Sequence, residues 1–162
     1  MLFRSAPRDA SARVTRSYRP GTAILETRFE TETGAVTLID FMPGPCDEQQ
    51  IDIVRMVRGD AGTVSMAMEM VIRFDNGRTV PWVRRRGWGF SAIAGPDELL
   101  LRAPIEWHGE GLTTAAEFDV HAGNCLPLVL TWRPSLRGSI TYREPEEMLR
   151  QTEAGWHVWS ER

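Results

Sequence analysis

The stretch Val64-Ser65-Met66-Ala67-Met68-Glu69-Met70-Val71-Ile72-Arg73-Phe74 places Val64, Met66, Met68, Met70, Ile72 and Phe74 on one face of an extended chain. The other face mixes small, charged and apolar residues. A period of two sustained this long belongs to a half-buried strand in a sheet packed against something. The Met66/Met68/Met70 side is therefore core, and Ser65/Ala67/Glu69 the less buried side; a slip of one residue would invert every one of them. The run leads into Asp75-Asn76-Gly77-Arg78, a turn signal, and then into a second strand-like segment, Val80-Pro81-Trp82-Val83-Arg84-Arg85-Arg86.

Working outward, nearly everything up to Pro134 reads as short strands divided by Gly, Pro and Asp/Asn. Arg13 to Arg19 is one strand. Thr22–Glu30 and Ala35–Met42 form a hairpin across Thr33-Gly34. Ile51–Val57 is another strand, joined to the methionine run by Arg58-Gly59-Asp60-Ala61-Gly62. Trp88–Ala94 and Glu98–Arg102 pair around Gly95-Pro96-Asp97, and Thr114–His121 and Cys125–Arg133 close the series. About ten strands with no helical periodicity between them predict a mainly β protein, a large antiparallel β-sandwich. The tail differs: Pro145-Glu146-Glu147 is helix N-terminus chemistry. Met148, Thr152, Trp156 and Trp159 follow at helical spacing, which predicts a helix over 145–160.

Composition excludes more than it selects. The 162 residues are 42% hydrophobic and 25% charged, with 19 basic and 22 acidic side chains for a net charge of −3. That balance offers no clustered positive charge for nucleic acid. Arg84-Arg85-Arg86 reads as a guard on an exposed strand edge. No apolar run suits a secretory signal or a membrane span, so a soluble, cytoplasmic setting is expected. Cys46 and Cys125 fit no metal-ligand spacing, and free thiols are the reading preferred over a disulfide. No metal or cofactor is expected.

Searches for a phosphate loop, Cys-x-x-Cys, His-Glu-x-x-His and Gly-x-Ser-x-Gly all fail. His108, His121 and His157 have no regular spacing, and His121 and His157 read as solvent-facing or structural. The segment Pro104-Ile105-Glu106-Trp107-His108-Gly109-Glu110-Gly111 holds two carboxylates, an imidazole and an indole. Glu106 and Glu110 have the chemistry of a glycosidase pair, although a polar connection with its Trp on the sheet is the plainer reading. Trp82, Trp88 and Phe90 could stack on sugar rings, but packing is the preferred role for them. A sugar-binding module using Trp82, Trp88 or Trp107 stands as an alternative.

Four stretches together resemble the N-terminal domain of bacterial glycoside hydrolase family 15 proteins, the glucoamylase and trehalase group. They are Arg16-Ser17-Tyr18-Arg19-Pro20-Gly21-Thr22-Ala23-Ile24-Leu25-Glu26-Thr27 with Val36-Thr37-Leu38-Ile39-Asp40-Phe41-Met42-Pro43; Arg73 to Arg85; Ala94-Gly95-Pro96-Asp97; and His108 to Phe118. The resemblance covers nearly the whole chain. It implies a supersandwich-type β-sandwich over 1–143 and a linker helix over 144–162, leading to an (α/α)6 catalytic barrel, in cis or as a separate chain. In such proteins both catalytic glutamates lie in the barrel, and no position here matches those motifs, so no catalytic residue is assigned. Family members usually open with Gly-Ser-Ile-Asp-Trp-like and Arg-Phe-Asp-Ser-Pro-like motifs, which are missing here. The chain therefore looks like a piece of a longer protein. The residues that follow as candidates for the domain interface or for contact with α-glucoside sugars are Trp82, Arg84, Trp107, His108, Glu110, Trp156 and Trp159.

Overall fold

The computed structural model describes residues 2–45, 49–136 and 140–161. Among these described residues eleven strands and one α-helix follow in order, with a 3-10 turn at Asp75–Gly77. They are β1 (Leu2–Pro7), β2 (Arg13–Tyr18), β3 (Leu25–Thr31), β4 (Gly34–Phe41), β5 (Ile51–Val71) and β6 (Trp82–Arg86). Then come β7 (Gly89–Ala94), β8 (Asp97–Arg102), β9 (His108–Glu110), β10 (Thr113–His121), β11 (Cys125–Pro134) and α1 (Pro145–Ser160). Every strand pairing is antiparallel.

The methionine run is the second half of β5, a strand of 21 residues. The first half sits in the layer β2-β3-β4-β5-β11-β8-β7-β6. The second half pairs with β1 on one edge and β10 on the other, and β9 extends beyond β10. β5 thus belongs to both layers, and the expected break at 58–62 is a continuation. The reason lies in two glycines. A Cβ on Gly59 would come 2.1 Å from the His121 carbonyl oxygen, and one on Gly62, at φ +58°, 2.1 Å from that of Thr33. Both positions require glycine for close backbone approach. Register against β4 shifts here, Ala35 facing Ala61 and Val36 facing Gly59, so Asp60 is the extra residue of a bulge that bends the strand.

Between the layers lies the main core. Met66, Met68 and Met70 join Ala116 and Val120 of one layer to Phe90, Leu101, Leu128 and Leu130 of the other. Met68 is 1% exposed while Glu69 faces solvent, so the register is the one the alternation predicts. At the open end of this core Arg55 clamps the layers. Its Nε and Nη2 donate to the Asp40 carboxylate at 2.6 and 3.0 Å. Its Nη1 donates to the Phe3 carbonyl and the Ser5 hydroxyl, with the guanidinium over the Phe3 ring.

The opposite face of the larger layer is covered by α1. Met148 fills a second cluster with Ile24, Ile39, Phe41, Val54, Met56 and Val129. β11 is therefore buried on both faces, which explains why Val129 and Thr131 are as buried as Leu128 and Leu130. Pro145 begins the helix with Glu146 and Glu147 in its first turn, on the residues the sequence predicts. The chain entering it is pinned to β5. Asp52, buried, accepts from Thr131 Oγ1 at 2.6 Å and from Arg143 Nη2 at 3.2 Å. Gln50 exchanges two hydrogen bonds with the Thr141 backbone. Arg19 holds the far end, donating to Glu26 and Glu153.

The sequence reading did not anticipate β1 or β9. β6 does not fold back on β5: after Asp75-Asn76-Gly77, all at positive φ, the chain crosses to the far edge and pairs with β7. Cys125 is a free thiol, whereas Cys46 lies outside the described residues. No helix among the described residues is long and apolar enough to cross a membrane.

Two outcomes test this architecture. Met68→Ala should destabilise the fold by about 3 kcal/mol in urea unfolding, as large-to-small core changes do, while Glu69→Ala should stay within ~0.5 kcal/mol. Asp52→Ala strands Arg143 and should cost about 3 kcal/mol, with faster amide exchange in residues 141–148 than elsewhere. Equal losses at Met68 and Glu69 would contradict the register.

Candidate functional site

The candidate residues fall into three separate groups. In β6 the side chains alternate: Trp82 and Arg84 share a face with Ile93 and Ser91 of β7, while Val83 and Arg85 share the opposite face with Ala92 and Phe90. Trp82 is 72% exposed, with the Arg84 guanidinium 5.9 Å from its ring centre. Trp107 lies on the core side of this edge. Its ring meets Phe90 edge-on at 4.8 Å, and Arg85 stacks over it at 4.7 Å while donating to its carbonyl. Trp82 and Trp107 are thus on opposite faces of the layer and form no common platform. His108 and Glu110 pair at 3.1 Å on the exposed strand β9.

Trp156 and Trp159 form the third group. Their rings meet nearly perpendicular at 5.6 Å on the last turns of α1. With Met42, Pro43, Thr152 and Gly155 they line an open hollow of about 570 Å³. A neighbouring hollow of about 320 Å³ shares Met42 and Trp156 and adds Tyr18, Leu25 and Ile53. Trp159 is 66% exposed and Met42 and Tyr18 are also well exposed, so the two hollows, which share Met42 and Trp156, are walled mainly by apolar side chains with Gln151 and Asp40 among them.

Glu106 lines a hollow of about 290 Å³ with Arg85, Arg86, Trp88 and Trp107, whereas Glu110 is engaged with His108. A glycosidase mechanism needs two carboxylates facing the same bond. No three metal-type side chains converge among the described residues.

Trp88, which the sequence reading offers as a stacking residue for sugars while preferring a packing role, stands at the β6–β7 turn and walls two hollows, the one with Glu106 and another of about 350 Å³ with Arg102, Tyr142 and Pro145. One pairing escaped the sequence reading. Arg102 stacks 4.3 Å over the Tyr142 ring, and burial pushes its guanidinium below the usual arginine range, with Tyr142, Asp52 and Glu144 opposing. Nothing local in the sequence joins these two positions; the chain between β11 and α1 brings them together.

With that geometry in place, comparison with known proteins gives a consistent relationship. Residues 2–158 match the model of the family described as "Trehalase-like, N-terminal". A trehalase from Mycolicibacterium smegmatis (strain ATCC 700084 / mc(2)155) is 27% identical over 183 residues, covering 97% of this chain. The chain spans 27% of that relative's length. Among solved structures, a putative kojibiose phosphorylase from the human microbiome superposes with a TM-score of 0.50 at 7% identity, over 99% of this chain and 25% of that one. At that identity the likeness is one of fold alone. The match over almost every residue from β1 to α1 means that the chain belongs to the trehalase-like N-terminal domain family.

Proposed function

We propose that this chain is the non-catalytic accessory domain of a glucoamylase- or trehalase-type glycoside hydrolase. In this reading the sandwich, residues 1–143, packs against an (α/α)6 catalytic barrel of the family 15 type and shapes the rim of its active site. The helix from 144 onward leads toward that barrel. The observation that carries the reading is the aromatic surface at the end of α1, where Trp159, Met42 and Tyr18 are exposed beside a half-buried Trp156. Burying such aromatic rings against a partner yields roughly 25 cal/mol per Å² of apolar surface, and aromatic side chains are enriched at contact centres. A reducing, cytoplasmic setting fits the free Cys125 thiol.

The test has two parts. The isolated chain should release no glucose from trehalose, maltose or maltodextrin. Supplied separately, the catalytic region of the parent protein should bind it one to one. Trp156→Ser with Trp159→Ser should weaken that complex at least ~10-fold, the loss of one or two anchor residues, with the circular dichroism of the sandwich unchanged. Glucose release abolished by Glu110→Gln, or a complex indifferent to both tryptophans, would overturn the reading.

A further inference from the structure

The net charge of −3 conceals a local excess of the opposite sign. Between Ile72 and Gly87 the chain carries five arginines, Arg73, Arg78, Arg84, Arg85 and Arg86, against one acid, Asp75, for a charge of +4. Elsewhere among the described residues, nine arginines each meet a carboxylate. None of these five does. Arg84 and Arg85 lie over the rings of Trp82 and Trp107 instead. Glu106 lines a hollow with Arg85 and Arg86, yet among the described residues no ion pair joins it to either. Three of the five stand on β6, the last strand of the larger layer. Every residue of β6 is exposed, and the strand pairs with β7 on one side only. On its other side it has no strand partner among the described residues. There Val83, Val80 and Pro81 line a hollow of about 240 Å³ with Met70, Ile72 and Leu112; no residue of β7 or β8 lines it. Val80, Val83 and Leu112 are exposed at its walls.

The geometry points to a docking edge for an acidic, extended segment of a partner protein, added to the larger layer as a strand beside β6. In such additions the main-chain bonds supply affinity and the alternate side chains supply specificity. Trp82, Arg84 and Arg86 share one face of β6, so acidic residues opposite the two arginines form attractive cross-strand pairs. The intervening residue of the added strand points to the Val83 face, where an apolar side chain enters the hollow. That hollow is smaller than small-molecule sites, which run from ~300 to ~1,000 Å³, and suits an inserted side chain. Pro81 has no N–H, so the new ladder begins at Trp82. The same charge bars a second copy of this chain, since β6 against β6 sets arginine beside arginine. A nucleic acid brings neither ladder groups nor apolar side chains, and leaves both the free edge and the hollow unused. None of these β6 residues lines the hollows at Trp156 and Trp159, so the proposal stands independently of the accessory-domain reading.

The probe is a labelled peptide of roughly seven residues alternating Glu with Leu, long enough to cover the five residues of β6. Titrated against the full chain and followed by fluorescence anisotropy, it should bind saturably, and more weakly as salt is added. Amide exchange should slow in residues 82–86. Arg84→Glu with Arg86→Glu should weaken binding at least ~10-fold and confer binding of the counterpart peptide alternating Lys with Leu. Both side chains are exposed, so the circular dichroism of this variant should match the wild type. Arg16→Glu on β2, the opposite edge of the layer, should change nothing. A peptide with Pro for its central Leu and for the next Glu lacks ladder donors on both edges and should not bind. Absence of saturable binding to the folded chain at the solubility limit overturns the proposal. So does equal binding of the proline peptide, binding retained by the double Glu variant, or exchange slowed at α1 instead of β6. Oligothymidine bound in preference to the acidic peptide marks a general polyanion surface and overturns it as well.

Discussion

One strand serves two layers, and the rest of the molecule is arranged around that constraint. At ~3.3 Å per residue, the 21 residues of β5 would span roughly 70 Å if straight, several times the ~15 Å radius of gyration of a chain this size. The strand must bend, and it bends where Gly59 and Gly62 let neighbouring carbonyls approach and Asp60 bulges. Backbone hydrogen bonds do not lapse at the bend. Gly59 N–H bonds the Asn124 carbonyl, Ala122 N–H that of Gly62, and Thr63 N–H that of Thr33. The corner therefore keeps each of these backbone donors paired, the buried Gly59 N–H among them, so a continuous strand satisfies the backbone at this point as well as a loop would.

From that bend the apolar and polar chemistry sorts itself. The inward faces of the two layers meet over the methionines, whose flexible side chains fill the irregular space between a large layer and a smaller one. The outward face of the larger layer has no second sheet. It is closed by α1 over Val54 and Val129 and by the chain leading into the helix, held by Asp52 and Gln50. This placement sets both surfaces discussed above. The far turns of α1 present two indoles beside Met42, and the near end brings Tyr142 and Pro145 up to Trp88.

The strong alternation in 64–72 was legible because a period of two with large side chains on one side has one burial solution in a packed sheet. The helix over 145–160 was legible for a similar reason, since Pro, two acids and helical spacing agree across local and amphipathic levels. Gly59-Asp60-Ala61-Gly62 was misread because glycines and an aspartate are the composition of a turn. Whether they turn or bulge depends on whether partner strands continue alongside, and β4, β11 and β10 all do. β1 and β9 were missed because short strands with mixed faces have no periodic signal of their own; their pairing partners define them.

The candidate site divides the same way. By itself the sequence determined which residues carry usable chemistry (the tryptophans, Arg84 to Arg86, the His108/Glu110 segment), because residue type is local. It also determined the family resemblance, through motifs spread over the whole chain. Only the tertiary structure decided which of these residues meet. Trp82 and Trp107 parted to opposite faces because adjacent positions in a strand point opposite ways and Trp107 packs on the Phe90 side. Trp88 gained Glu106 on one side and Tyr142 on the other from segments distant in the chain. Contacts between segments so far apart in sequence are set by sheet register and by the path of the connections, and no local pattern of residues encodes either.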